Sequence, residues 1–133
     1  MTAFTINITG IDALVKKFGR IQGIEYLRPP MVRSVARLHR RMADYPAVPP
    51  KSKYRRTGTL GRRWTTRVDN IPGGLQGSVG NNTWYAPLVQ SYRFQARHHK
   101  GRWINTDRYV MTTERSSIIR DFQDTIHQRL QGR

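Results

Sequence analysis

The chain has 133 residues and no cysteine, and its 24 Lys and Arg against 8 Asp and Glu give a formal net charge of +16. This length fits one domain with a modest core, and 37% hydrophobic residues favour a globular chain over a disordered one. The composition excludes disulfides, thiolate catalysis and cysteine-based zinc sites, and the sequence has no run of about 18 apolar residues that could cross a membrane. The first residues lack the basic and apolar regions of a signal peptide. We therefore expect a single domain over 1–133.

The positive charge is concentrated in two stretches. Between Arg28 and Arg67, twelve basic residues stand against one acid, Asp44, which leaves a net charge of +11. From Arg93 to Arg102, four more basic residues follow without any acid. Such a density indicates attraction to a polyanion or to an acidic protein surface.

The first third of the chain predicts a strand followed by a long helical region. Phe4, Ile6 and Ile8 alternate with polar residues, which is the period of a half-buried strand. Helical spacing follows over 11–21, and prolines 29 and 30 can open a second helix because proline is tolerated in the first turn. The pattern leaves open whether the two helical pieces are continuous. The second helix is predicted to bury Met31, Val35, Leu38 and Met42 and to expose Arg33, Arg37, Arg40 and Arg41.

The middle of the chain predicts a loop and then a hairpin. Prolines 46, 49 and 50 remove hydrogen-bond donors and fix φ, so an extended, exposed, proline-rich loop is expected over 45–57. Trp64–Val68 and Leu75–Val79 are β-prone, and residues 70–74 between them have the composition of a hairpin turn.

The last third predicts two more short strands and a helix. The strands are expected near Tyr92–Ala96 and Arg102–Asn105. The helix should end at Gly132 and bury one apolar face made of Ile118, Ile119, Phe122, Ile126 and Leu130. The element order predicts an α+β fold, in which a small mixed or antiparallel sheet packs with a long N-terminal helical region and a C-terminal helix.

No catalytic or metal site assembles from the sequence. His98 and His99 are adjacent, so we expect their side chains to diverge, which is poor geometry for chelating one ion. Acids are too sparse for a converging carboxylate pair, and Asp121 and Asp124 are better suited to surface ion pairs with arginines of their own helix. Motifs of activated serine and of phosphate-binding loops are missing. We expect no catalytic residue, no metal and no cofactor, and therefore not an enzyme.

Basic and aromatic residues interleave in two segments, 54–64 and 97–103. They could supply phosphate contacts and stacking rings for a nucleic acid. However, no helix-turn-helix, RNA-recognition motif or zinc finger is present, so any such contact would use backbone charge without base readout. The competing interpretation for Trp64, Trp84 and Trp103 is packing in a core or an interface.

The segment Tyr-Arg-Arg-Thr-Gly-Thr-Leu-Gly-Arg-Arg-Trp at 54–64 resembles the TG-x-L element of a family of small tailed-bacteriophage proteins. These are neck and tail-completion proteins, also described as head–tail connector or phage tail-component proteins. Thr57, Gly58 and Leu60 occupy the motif positions.

A second block, at 79–90, resembles the same family's VG…YAP-V segment through Val79, Gly80, Tyr85, Ala86, Pro87 and Val89. Residues 95–103 and the opening Gly-Ile-Asp-Ala-Leu at 10–14 also fit, so the resemblance spans nearly the whole chain. It departs from the family pattern at Gln90, Ser91 and Tyr92, where an acid and a glycine often stand.

The motif residues have a structural interpretation. Gly58 and Gly80 suit positions of positive φ or close backbone approach. The core anchors are expected to be Leu60, Val79, Tyr85 and Val89, and Ala86-Pro87 allows a tight entry into a helical turn.

The resemblance implies a structural virion protein of the head–tail junction of a long-tailed phage, assembled in the bacterial cytoplasm and without a membrane contact. It implies a homo-oligomeric ring through which genomic DNA passes without sequence preference. Its neighbours would be other neck and tail proteins, such as a head-completion or stopper protein, a tail terminator or the tail tube. We expect the subunit interface or the DNA channel to use Tyr54, Arg55, Arg56, Arg62, Arg63, Trp64, Arg97, Lys100, Arg102 and Trp103.

Between these two roles we favour pairing with acidic partner proteins, because a channel that gripped phosphates would retard DNA release. The alternative is a stand-alone basic nucleic-acid-binding module without base specificity.

Overall fold

A computed structural model describes residues 2–9, 25–53 and 55–132. The predicted helix over 11–21, the family-like start at 10–14 and Tyr54 lie outside the described residues. The strands are β1 (Thr2–Ile8), β2 (Trp64–Ile71) and β3 (Gly74–Asn81). The helices are α1 (Arg28–Ala43), α2 (Thr59–Arg62), α3 (Ala86–Gln90), α4 (Thr106–Tyr109) and α5 (Arg115–Leu130). Turns of 3₁₀-helix cover Glu25–Leu27 and Arg97–His99, and a π-helical turn covers Val110–Glu114.

The described strands form one antiparallel sheet in the order β1-β3-β2, which confirms the predicted hairpin. In its register Gly77 lies opposite both Ile6 and Val68. Because successive side chains of a strand point to opposite faces, this row and its alternate neighbours share one face of the sheet. The other face is polar, and there the Gln76 side chain donates to Asn7 Oδ1 over 2.9 Å.

Helix α1 covers the apolar face of the sheet. It begins at the two prolines, and its predicted stripe of Met31, Val35, Leu38 and Met42 is buried as expected. The helix packs so closely that a Cβ placed on Gly77 would lie 2.5 Å from Met31 Sδ and 2.7 Å from Val35 Cγ1. Gly77 therefore permits the contact between α1 and the centre of β3.

Helix α5 packs beside α1 and completes the main core with Ile118 and Phe122. The prediction that Ile119 shares this face is wrong, because its side chain is 44% exposed. The prediction for Asp121 is also wrong: its carboxylate accepts from Arg33 of α1, over 2.7 Å and 3.1 Å. This pair therefore connects α5 to α1.

The two extra strands predicted near Tyr92–Ala96 and Arg102–Asn105 are not formed. The chain turns there instead: Gln95 N donates to Ser91 O over 3.0 Å, and Trp103 N donates to His99 O over 3.1 Å. These backbone groups are satisfied locally, so the segments need no neighbouring strand. The predicted α+β class with a C-terminal helix is confirmed, with a sheet that is antiparallel. Within the described ranges no helix is both long and apolar enough to cross a membrane.

Candidate functional site

A second, smaller core brings the two motif segments together. Leu60 of the first segment is buried against Ala86 and Val89 of the second. Tyr85 and Trp103 pack around this cluster as half-buried side chains. The residues that carry the family resemblance therefore meet in one place, although some 25 residues of sequence separate them.

Local backbone chemistry sets the position of Leu60. Gly58 precedes α2 with φ +76°, a left-handed conformation that glycine adopts without strain, as predicted. The Thr59 amide donates to Thr57 Oγ1 over 3.4 Å, and the buried Asn81 side chain donates to Leu60 O over 2.7 Å. The TG-x-L motif thus serves as a helix start that is fastened to the end of β3.

The proline-rich loop is held at both ends. At its start, the Tyr45 hydroxyl accepts from Gly61 N over 2.9 Å, and the ring packs edge-on against Trp103 with centroids 5.1 Å apart. Near its end, the Arg56 guanidinium lies over both rings and donates to the Pro46 carbonyl. Between these anchors the loop is exposed at 47, 48 and 50–53, which confirms the predicted exposure.

Buried amides and a hydroxyl fix the segment that follows α3. Gln90 Nε2 donates to Met42 O over 3.2 Å, and Thr106 Oγ1 donates to Gln90 O over 2.9 Å. Gln95 Nε2 donates to Val89 O over 2.7 Å and also reaches the carbonyl oxygen of Trp103 over 3.3 Å. These bonds replace the ladder of the predicted strands as the source of order in this segment.

A groove of about 520 Å³ opens above the second core. The loop forms one wall, residues 96–103 form the other, and α3 forms the floor. Apolar and aromatic side chains dominate its lining, and two arginines contribute to it: Tyr45, Val48, Leu60, Tyr85, Leu88, Val89, Trp103, Arg56 and Arg102. None of the lining residues is acidic.

A second hollow, more open and about 820 Å³ in volume, lies on the other side of Trp103 and Arg102. Four cations line it: Arg93, Lys100, Arg102 and Arg108. Such a concentration of positive charge attracts anions.

Ion pairing within the chain separates the structural arginines from the free ones. In five arginines a guanidinium nitrogen lies within 3.6 Å of a carboxylate oxygen: Arg28, Arg33, Arg37, Arg41 and Arg67. In the described part of the chain, the other cations of the first basic stretch make no ion pair: Arg40, Lys51, Lys53, Arg55, Arg56, Arg62 and Arg63. The unpaired charge therefore belongs mainly to the loop and α2 rather than to α1.

The histidine pair departs from expectation. His98 and His99 lie in a short 3₁₀ turn rather than a strand or α-helix, and their ring centroids are 4.0 Å apart, so the predicted divergence is wrong. Burial lowers the pKa of His99 below its ordinary value, and the nearby His98 and Arg102 lower it further. Among the described residues, no group of three or more His, Cys, Asp or Glu side chains is placed to hold a metal ion.

Exposed aromatic side chains cluster in sequence beside the groove. Trp84 is 83% exposed, and Leu88, Tyr92 and Phe94 are also exposed. Isolated exposed apolar residues are ordinary, but a run of large ones over 84–94 is typical of a protein-contact surface.

The structure divides the predicted interface residues. Arg56, Arg102 and Trp103 line the groove, and Lys100 lines the second hollow with the latter two. The exposed side chains outside both linings are Arg55, Arg62, Arg63 and Arg97. Trp64 is 3% exposed and belongs to the main core, so its side chain cannot serve as a contact residue in this fold, and that prediction is wrong.

The motif predictions mostly agree with the structure. Val79 is buried in the main core, and Pro87 lies in the first turn of α3 as expected. Tyr85 is half-buried and lines the groove, so it is only partly a core anchor. Gly80 lies within β3 and is not among the glycines with positive φ, so the positive-φ expectation is wrong for Gly80, and the alternative of a close backbone approach stays a prediction.

Sequence reasoning missed the buried polar residues whose hydrogen bonds fix the segments around the groove: Asn81, Gln90, Gln95 and Thr106. The one signal was the departure from the family pattern at 90–92, a stretch that includes Gln90. The Gln90 amide donates to a backbone carbonyl, which an ionised carboxylate cannot do.

Comparisons of the chain with protein-family models, with curated proteins and with solved structures find no significant match.

Proposed function

We propose that this protein is a structural component of the head–tail junction of a long-tailed bacteriophage, where its copies form a ring with other neck and tail proteins. The observation that supports the proposal most is the meeting of the TG-x-L and YAP-V segments in one small core. Motif residues that pack against one another have a structural role, and two of these core residues, Leu60 and Val89, also line the groove.

The charges and aromatic residues around that core support a role in protein contact. Buried interface centres are enriched in arginine and large aromatic residues. Here Trp103 and Arg56 border the groove, and the stretch 84–94, which carries four exposed large apolar or aromatic side chains, contributes Leu88 to its lining. Because the paired arginines of α1 are already neutralised, the contact surface would use the loop, α2 and residues 93–102.

The test is disruption of this gene in the phage or prophage that encodes it, followed by electron microscopy of the lysate. We expect DNA-filled heads that are separate from tails, with infectivity restored by a plasmid copy. Normal infectious particles from the disrupted phage would exclude the proposal.

Complementation then separates partner pairing from channel lining. Arg55→Glu reverses an exposed charge that forms no ion pair with the described residues, and Arg120→Glu at an exposed position of α5 is its matched control. If the basic surface pairs with proteins, Arg55→Glu should reduce the yield of joined particles while Arg120→Glu should not. Intact particles with altered DNA release would instead support channel lining.

The second candidate is a stand-alone nucleic-acid-binding module, and the four-cation hollow favours it. If all four cations contact phosphates, the logarithm of the affinity for duplex DNA should fall with the logarithm of salt concentration with a slope of about −3.6. Fluorescence anisotropy with a duplex of random sequence measures this slope. Tight binding combined with normal particles from the disrupted phage would favour this candidate over the junction protein.

A further inference from the structure

We propose that the groove binds an acidic segment of a partner protein that inserts an apolar side chain between the proline-rich loop and residues 96–103. The choice of a neighbouring virion protein as that partner rests on the proposed function. The binding chemistry itself rests on the groove.

The groove leaves apolar surface in contact with water. Val48 on one wall and Leu88 on the floor are 54% and 44% exposed, although both line the groove. Covering such side chains with a leucine or phenylalanine of a partner removes apolar surface from water on both sides. The volume of about 520 Å³ accommodates one or two large side chains, as small binding sites do.

The positive charge around the groove favours acidic residues on either side of the partner's apolar side chain, which is called the anchor below. Arg56 and Arg102 line the groove, and the two segments that form its walls carry further exposed cations outside the lining, namely Lys51, Lys53, Arg55 and Arg97. In the described part of the chain, none of these side chains forms an ion pair, and no acid lines the groove. Asp and Glu residues on either side of the apolar anchor would pair with the cations of both walls and neutralise their charge.

A second copy of this chain is a poor source of such a segment. Six acidic side chains are described, and five of them are in ion pairs within the chain: Glu25, Asp44, Asp69, Glu114 and Asp121. Among these six, only Asp124 makes no ion pair. Because a copy of this chain offers so few unpaired acids, the cations of the groove favour a segment of a different, acidic protein.

A nucleic acid fits the groove less well than an acidic peptide. Single strands bind by stacking bases on free aromatic faces. Here Tyr45 and Trp103 pack edge to face at 5.1 Å, and the Arg56 guanidinium carbon lies 5.6 Å and 5.4 Å from their centroids. These two rings of the groove are thus already in contact with each other and with a cation.

The test uses three fluorescein-labelled peptides and the whole protein. The probe is Asp-Glu-Asp-Leu-Phe-Glu-Asp-Glu. One control replaces Leu-Phe with Gly-Ser at the same charge, and the other keeps Leu-Phe but replaces the acids with Ser and Gln. We expect anisotropy titrations to show the probe binding at least tenfold more tightly than either control, because each control lacks one half of the recognition.

Two matched pairs of variants locate the binding. Leu88 and Ile119 are both 44% exposed, and only Leu88 lines the groove. Leu88→Asp should weaken probe binding at least tenfold, while Ile119→Asp should leave it within twofold. Arg102→Glu should likewise weaken binding more than Arg120→Glu on α5. Circular dichroism of each variant is the control that checks that the variant is folded.

Three results would overturn the inference. One is equal binding of the probe and the Gly-Ser peptide, which would mean attraction by charge alone. Another is an equal effect of Leu88→Asp and Ile119→Asp. The third is displacement of the probe by a single-stranded DNA 12-mer at a concentration lower than that of the probe, together with weaker binding of this DNA to Leu88→Asp. That result would assign the groove to nucleic acid. These failures concern the groove alone, whereas the junction assignment fails through normal particles from the disrupted phage.

Discussion

Replacing Gly77 with alanine tests the packing on which the main core depends. The added Cβ would lie 2.5 Å from Met31 Sδ and 2.7 Å from Val35 Cγ1, and both distances are shorter than the non-bonded contacts that Cβ atoms make in real structures. Met31 is flexible but fully buried, and Val35 is β-branched and restricted in a helix, so neither side chain can move away freely. Overpacking of this kind costs about 1–3 kcal/mol.

A smaller opposing effect reduces this cost. Alanine restricts the unfolded chain more than glycine does, which stabilises a protein by about 0.4–1 kcal/mol where the native conformation allows it. The net loss for Gly77→Ala should therefore be about 1–2 kcal/mol. For a domain of this size that corresponds to a fall in Tm of about 4–8 °C.

The assay is urea denaturation and thermal melting followed by circular dichroism. Ser78→Ala is the control, because Ser78 lies on the opposite face of β3, and its effect should stay within about 0.5 kcal/mol. The double variant Gly77→Ala with Val35→Ala should lose less stability than the sum of the two single variants, since the smaller residue makes room for the new methyl group. Unchanged or increased stability of Gly77→Ala would refute the proposed contact of α1 with β3.

Three further changes test the polar interactions. Asn81→Ala removes the donor to Leu60 O and should cost about 1–3 kcal/mol by urea denaturation, while Asn82→Ala, at an exposed position, should cost little. Gln90→Glu puts a carboxylate where a donor is needed, so the variant should be destabilised at pH 7 and recover as the pH falls and the acid protonates; a loss that did not depend on pH would contradict this. The pKa of His99 is lower in the folded protein than its ordinary value of 6.5, so as the pH falls the unfolded chain binds the proton first. The stability that neutral His99 contributes is therefore complete above pH 6.5 and is lost as the pH falls through the lowered pKa of the folded state. His99→Gln should therefore weaken the decline of Tm between pH 7.5 and 5.5, and an unchanged decline would assign the effect to other groups.

The elements with local signals could be predicted from the sequence. The buried stripe of α1 follows from a spacing of three and four residues, and the β2–β3 hairpin follows from turn residues between two β-prone runs. Ile119 shows the limit of this reasoning, because Ile118 and Phe122 already define the buried face of α5, and Ile119 lies about 100° further round the helix.

The distribution of free charge could not be predicted in the same way. The stretch from Arg28 to Arg67 is uncompensated in sequence, yet Arg33 is neutralised by Asp121, 88 residues away, and Arg37 by Glu114, 77 residues away. The tertiary packing of α5 and of the π-helical turn before it against α1 brings these charges together. The basic surface that remains is therefore smaller than the sequence indicates and lies elsewhere.

The groove itself also escaped prediction. The wall at 96–103 depends on Gln95, whose side-chain amide donates to the carbonyl oxygen of Val89, before the wall, and to that of Trp103, at its end. Glutamine is usually exposed, so a buried role for one of several glutamines leaves no periodic signal.

The amide bonds of Gln90 and Gln95 have a further consequence for molecular recognition. They hold a segment with little regular secondary structure in a single conformation before any partner arrives. A loop that must be ordered on binding loses conformational entropy at that moment, and this loss reduces affinity. Here the order is established when the chain folds, so an approaching protein would meet walls already in place. More of the contact energy would then remain available as affinity.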